Sequence, residues 1–70
     1  MNIMFDSSDY FVRIRNKGGH LKVTIWNNSG DKLLSDFLGP DPTAQFWNSV
    51  EKLTNSTVVE DIKKHSRKLS

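Results

Sequence analysis

Apolar residues recur at every second position in two stretches of the first half of the chain. They fall at Tyr10, Val12 and Ile14 in the first stretch and at Leu21, Val23 and Ile25 in the second. Because successive side chains of a strand point to opposite faces, each stretch predicts a half-buried β-strand. Asn16-Lys17-Gly18-Gly19 lies between them, and its glycines can supply the positive φ of a tight turn. The two stretches therefore predict an antiparallel hairpin.

Weaker patterns on either side of this hairpin predict further strands. Asn27-Asn28-Ser29-Gly30-Asp31 is a cluster of turn residues. Residues 32–38 then predict a third strand, although Leu33 and Leu34 are adjacent and break the alternation. Residues 1–9 are either an additional edge strand or a flexible arm. The sheet thus has three strands, or four if the first nine residues join it.

The second half of the chain has helical spacing. Gly39-Pro40-Asp41-Pro42 ends the sheet, with Asp41 as the N-cap and Pro42 at the first helical position. An apolar stripe follows at Phe46, Trp47, Val50 and Leu53. Thr57 and Glu60 have the spacing of a capping box, and a second apolar stripe follows at Val58, Ile62, His65 and Leu69. The predicted fold is α+β, an antiparallel sheet packed against one amphipathic helix plus a short C-terminal helix.

The size of the chain restricts both its architecture and its location. Its 70 residues are enough for one domain with one core. Most enzyme folds need a much longer chain. No cysteine is present, which excludes a disulfide and fits a reducing cytoplasm. The longest apolar run is three residues, so we expect neither a signal peptide nor a membrane span. A core this small, with Phe46 and Trp47 side by side on one helix, favours a homodimer.

Catalytic and metal-binding groups are not grouped in the sequence. The carboxylates fall at positions 6, 9, 31, 36, 41, 51, 60 and 61. The one adjacent pair, Glu60-Asp61, would project about 100° apart on a helix and is better interpreted as acidic residues of a first turn. His20 and His65 lie in different elements, and we expect solvated or capping side chains. We therefore predict no enzymatic activity, no metal site and no cofactor.

Basic residues are concentrated in the predicted hairpin. Four of them, and no acidic residue, lie between Tyr10 and Trp26, whereas the rest of the chain has six basic and eight acidic residues. The alternation places seven side chains on the polar side of the hairpin: Phe11, Arg13, Arg15, Lys17, His20, Lys22 and Trp26. Aromatic rings among cations suit single-stranded nucleic acid, because bases stack on the rings and the cations neutralise phosphates.

The same residues also fit a simpler interpretation. A sheet covered by helices on one face exposes Arg, Lys and Thr to water on the other. Phe11 and Trp26 could be a cross-strand pair that stabilises the hairpin, or the centre of a protein interface. The basic run Lys63-Lys64-His65-Ser66-Arg67-Lys68 is explained by the dipole of the last helix.

The order of these motifs resembles the positive-cofactor-four type of single-stranded-DNA-binding transcriptional coactivators. The resemblance rests on Tyr10-Phe11-Val12-Arg13-Ile14-Arg15, on Leu21-Lys22-Val23-Thr24-Ile25-Trp26, and on Asp41-Pro42 followed by Gln45-Phe46-Trp47. It implies a curved antiparallel sheet, an amphipathic helix and pairing of two chains through their helices. The family's basic segment before the helix is replaced by Leu33-Leu34-Ser35-Asp36-Phe37-Leu38, so the resemblance carries over four contacts: Arg13, Arg15, Lys22 and Trp26.

Two functions follow as hypotheses. The first is a binding module for single-stranded nucleic acid that uses the basic and aromatic face of the hairpin. The alternative is a phage or mobile-element protein that inhibits an acidic host protein by direct binding. The same element order is also found in small DNA-binding domains that lay a sheet in the major groove.

Overall fold

The fold is a four-stranded sheet followed by two helices, in a computed structural model that describes residues 2–38 and 44–69, with the backbone alone for Leu69. The strands are β1 (Asn2–Ser7), β2 (Tyr10–Lys17), β3 (His20–Asn27) and β4 (Lys32–Leu38), and the helices are α1 (Ala44–Leu53) and α2 (Ser56–Leu69). All neighbouring strands are antiparallel, in the order β1-β2-β3-β4. The predicted α+β class is confirmed, and residues 2–7 form an edge strand rather than a flexible arm.

The hairpin turn has the geometry that its glycines predict. Gly18 and Gly19 have φ values of 60° and 88°, which suit the turn of a tight two-residue hairpin loop. The Gly19 N–H donates to Asn16 Oδ1 at 3.0 Å. The loop fixes the register at Lys17 opposite His20, so every residue of β2 has a defined partner on β3.

A bulge explains the irregular pattern of β4. The register between β3 and β4 shifts between Ile25 and Trp26, so that Ile25 is opposite Leu34 whereas Trp26 is opposite Lys32. A bulge places two residues of one strand against one of the other. Leu33 and Leu34 can therefore both pack against the core, although they are adjacent in sequence.

The hydrophobic core lies between the helices and one face of the sheet. Its fully buried side chains are Val12, Ile14, Val23, Ile25, Val50, Val58 and Ile62. The strand residues among them are the ones that alternation assigned to the apolar side, so that prediction is confirmed. Their neighbours on β2 and β3 point the other way, away from both helices. We call that opposite side of the sheet the outer face.

Helix α2 differs in three respects from the sequence-based prediction. It has 14 residues against 10 in α1, so it is not the shorter helix. Its N-cap is Asn55, whose Oδ1 accepts the Val58 N–H at 3.0 Å, and not Thr57. Asp61 lies in the second turn and not in the first, where an acidic side chain would interact favourably with the helix dipole. It accepts a hydrogen bond of 2.6 Å from the Ser7 hydroxyl.

Two further side chains are placed differently from the prediction. His65 is neither solvated nor a cap: its ring stacks on Phe5, with centroids 3.9 Å apart and planes at 11°. Leu53, predicted on the apolar stripe of α1, lies at the end of the helix and is 43% exposed. The predicted N-cap Asp41 and first helical residue Pro42 lie outside the described residues.

Candidate nucleic-acid interface

The strand register places all seven predicted site residues on the outer face. On β2, Phe11, Arg13 and Arg15 alternate with the buried Val12 and Ile14. Their partners across β3 are Trp26, Thr24 and Lys22, and Lys17 is opposite His20 beside the glycine turn. Because alternation is maintained through both strands, the seven side chains form one continuous surface. Lys17 and His20 lie at its far end, several residues from Phe11 and Trp26.

An aromatic pair lies at one end of this surface. Phe11 and Trp26 are directly opposite in the register, and their ring centroids are 5.6 Å apart with the planes tilted by 44°. Phe11 is 37% exposed, and Trp26 is half-buried. The pair therefore stabilises the hairpin, as such cross-strand pairs do, and still presents aromatic surface to solvent.

The Arg13 side chain lies against this pair. Its guanidinium carbon is 5.2 Å from the centroid of the Trp26 ring, within the range of a cation–π interaction. Its Nε is buried without a hydrogen-bond partner in the described part of the chain. The guanidinium is therefore held beside an aromatic ring with part of its donor capacity unused.

Two cations face each other at the centre of the outer face. Arg15 and Lys22 are directly opposite in the register of β2 and β3. Like charges in this position repel, at a cost in stability comparable to the gain from an opposite pair. An anion bound between them would remove that repulsion. The register therefore brings two positive charges close together on the outer face.

In the described part of the chain, the cations of the outer face have no acidic partner. Among residues 2–38 and 44–69, no ion pair joins Arg13, Arg15 or Lys22 to an acidic side chain. Asp6 of β1 is opposite Phe11 and so lies at the margin of the face. Asp36 of β4 is opposite the buried Val23 and therefore lies on the other side of the sheet. The positive charge extends over the centre of the surface and ends at Asp6.

Phe37 on β4 is an outer-face residue that the sequence analysis did not identify. It is opposite Lys22 in the register and is 50% exposed. The Lys22 ammonium nitrogen lies 5.6 Å from the centroid of its ring. The alternation of Ser35 and Phe37 could have indicated this position, but the phase of β4 is set by the bulge at its start, which the sequence does not reveal.

Metal-ligand clusters and membrane-spanning helices are both absent from the described residues. Within residues 2–38 and 44–69 there is no group of three or more His, Asp or Glu side chains that could hold a metal ion. In the same part of the chain, no helix is long and apolar enough to cross a bilayer. On the outer face, the Thr24 and Ser35 hydroxyls form a hydrogen bond of 3.3 Å with each other.

No protein-family model, curated protein or solved structure matches the chain. The resemblance to the positive-cofactor-four type of coactivators therefore stays a prediction, carried by the motifs of β2, β3 and α1.

Proposed function

We propose that this chain is a non-enzymatic module that binds single-stranded nucleic acid through the outer face of β2 and β3. The observation that carries the proposal is the contact between Arg13 and Trp26, with Phe11 beside them. It combines in one place an exposed aromatic surface and a cation that has no acidic partner among the described residues. The aromatic surface could stack a base, and the Arg13 cation could neutralise the phosphate of that nucleotide.

The aromatic surface favours a single strand over a duplex. Rings that lie on a sheet can stack only on the flat face of a base. In a duplex those faces are covered by neighbouring base pairs, whereas an unpaired strand can turn its bases outward. Each base stacked on a protein ring contributes about 1–3 kcal/mol. Arg15 and Lys22, which are opposite each other in the register, could then bind the phosphates between the stacked bases.

Binding to labelled single-stranded DNA, single-stranded RNA and duplex DNA, measured by fluorescence anisotropy over a salt series, tests the proposal. We expect the single strands to bind more tightly than the duplex. Trp26→Ala should weaken binding by about 5- to 150-fold with little change in salt dependence. Arg13→Ala, Arg15→Ala and Lys22→Ala should each reduce the slope of log K against log salt by about 0.7.

Matched controls come from helix α2. Thr57→Ala shortens an exposed side chain of α2, and Lys64→Ala removes an exposed cation from the same helix. Both should leave affinity unchanged beyond the general effect of net charge. If the four outer-face variants behave like these two controls, the proposal is wrong.

A protein partner is the second candidate function, in which the chain inhibits an acidic protein of a host. Met4 and Phe37, 61% and 50% exposed on the outer face, favour it, because Met, aromatic and Arg residues are enriched in protein interfaces. Capture of partners from a lysate, with and without nuclease, separates the two functions. A single acidic protein that resists nuclease and is lost with Phe37→Ala would select the inhibitor.

The homodimer and the cytoplasmic location are further parts of the proposal. Phe46 and Trp47 pack partly against the core of their own chain, so the apolar surface left on α1 for a second copy is mainly Leu53. Light scattering at micromolar concentration should give the mass of a dimer. A monomer across that range would exclude pairing through α1 and leave the proposed binding face unaffected.

A further inference from the structure

We infer that the nucleic-acid surface continues from Trp26 across to Phe37 on β4, so that the ligand is a single strand of about four nucleotides with two separate stacked bases. The inference rests on the proposed function and specifies the extent and direction of its site. It is based on two aromatic positions, each with its own cation, on the same face of the sheet.

Each of the two positions combines one aromatic ring with one cation. At the first, the Arg13 guanidinium lies 5.2 Å from the Trp26 ring centroid, and at the second the Lys22 ammonium lies 5.6 Å from the Phe37 ring centroid. Phe37 is more exposed than Phe11, at 50% against 37%, so its ring is at least as available to a base. The residue opposite Phe37 is a lysine and not a second ring, so half of the Phe37 side chain stays exposed beside the cation.

The register gives the separation of the two positions. Lys22 is four residues from Trp26 along β3, and Phe37 lies one strand away from Lys22. With about 3.3 Å per residue along a strand and about 4.8 Å between strands, the backbone positions that carry the two rings are about 14 Å apart. Adjacent bases of one strand cannot be that far apart. At the B-form spacing of about 3.4 Å per nucleotide, 14 Å corresponds to about four steps, or five nucleotides. A partly extended strand with about 5 Å per step covers the same distance in about three steps, or four nucleotides.

The distribution of charge favours one route for the bound nucleic acid across the sheet. Asp6 is opposite Phe11 on the β1 side and would repel phosphates that pass there. On the β4 side, the outer-face residue between the two rings is Ser35, which is exposed and uncharged. Asp36, the acidic residue beside Phe37 in sequence, lies on the opposite side of the sheet, where its Oδ1 accepts the Phe37 N–H. The favourable route therefore runs from Trp26 over Ser35 to Phe37 and away from β1.

The test measures affinity for oligothymidylates from two to about eight nucleotides long, by titration monitored with NMR or fluorescence. For oligonucleotides of about four nucleotides or more, Phe37→Ala should weaken binding by about 5- to 150-fold. For the dinucleotide it should have no effect, because a dinucleotide cannot reach both rings. Trp26→Ala should weaken binding at every length.

Two further variants separate stacking from folding. Phe37→Tyr keeps an aromatic face and should bind like the wild type, whereas Phe37→Leu keeps apolar bulk without the aromatic face and should bind like Phe37→Ala. Circular dichroism of each variant reports whether the sheet is intact. Thr57→Ala again serves as the control at an exposed position of α2.

Each outcome has a defined meaning. If Phe37→Ala and Thr57→Ala have the same affinity at all lengths while Trp26→Ala is impaired, the continuation onto β4 is wrong and the proposed function stands. If Phe37→Ala weakens the dinucleotide as much as the longer strands, the two-position site is wrong. If the wild type binds no oligonucleotide, both the inference and the proposed function are wrong.

Discussion

The Ser7 hydroxyl donates a hydrogen bond of 2.6 Å to Asp61 Oδ2, which joins the last residue of β1 to the second turn of α2. Ser7 is 3% exposed, so little water can replace this bond if it is broken. On the same side of the sheet, Phe5 stacks on His65 one helical turn further along α2. The first strand is thus fixed to the last helix by one polar and one aromatic contact.

Ser7→Ala should lower the free energy of unfolding by about 1.5–3 kcal/mol, because it leaves the Asp61 carboxylate without its donor in a part-buried site. In a chain of this size each kcal/mol corresponds to a fall in Tm of about 4–8 °C. Thermal unfolding followed by circular dichroism measures the change. Ser49→Ala, at an exposed position of α1, is the control and should change Tm little. Equal Tm values for the two variants would contradict the prediction.

Ser8→Gly should stabilise the protein by about 0.5–1 kcal/mol. Ser8 has a φ of 54° in the turn between β1 and β2, a conformation that costs a residue with a Cβ about 1–3 kcal/mol and glycine almost nothing. Part of this gain is offset by the greater freedom of glycine in the unfolded chain. Urea unfolding measures the difference. Ser29→Gly, in a turn where φ is not positive, should instead lower stability, and a gain there would undermine the explanation.

Asn55→Ala should destabilise the protein by about 0.5–2 kcal/mol, because its side chain accepts the Val58 N–H at the start of α2. Thr57→Ala removes the residue that the sequence pattern suggested as the cap, but Thr57 is an exposed residue inside the helix. It should change stability by less than about 0.5 kcal/mol. Denaturant midpoints of the two variants decide between the caps. A larger loss for Thr57→Ala would show that the helix begins where the sequence pattern placed it.

Asp6→Asn should strengthen binding of single-stranded oligonucleotides if the proposed function is correct. Asp6 lies opposite Phe11 at the margin of the outer face, and removal of its charge should raise affinity at low salt by about 1.5- to 5-fold. The gain should diminish as salt is added. Glu51→Gln changes the net charge by the same amount on α1 and is the matched control. Equal gains for both variants would show that net charge, not the position of Asp6, is responsible.

The strands of the hairpin could be predicted because two physical signals agree there. Alternation fixes which side of β2 and β3 is buried, and two glycines fix the turn, so the register follows from both. The seven side chains of the hairpin's outer face were therefore assigned to one surface from the sequence alone. The pairing of Arg15 with Lys22 is a direct consequence of that register.

The contribution of β4 to the outer face could not be predicted in the same way. Its side-chain phase depends on the bulge opposite Trp26, and a bulge changes which residues share a face by a shift of one position. If the bulge is not known, the sequence cannot assign both Leu33 and Leu34 to the buried face of the sheet. The face on which Phe37 lies then stays undetermined as well. The contact of Ser7 with Asp61 was equally inaccessible, because it links residues 54 positions apart through packing.

The order of the strands has a consequence for how the molecule assembles. Each strand pairs with its neighbour in sequence, so the sheet forms through a series of short connecting loops. Short loops lose little entropy on closure, and chains with local contacts fold quickly. The contact of α2 with β1 joins residues 54 positions apart and so closes a much longer loop than the pairing of neighbouring strands does. The surface formed by β2 and β3 can therefore be complete early in folding, before the last helix covers the opposite side.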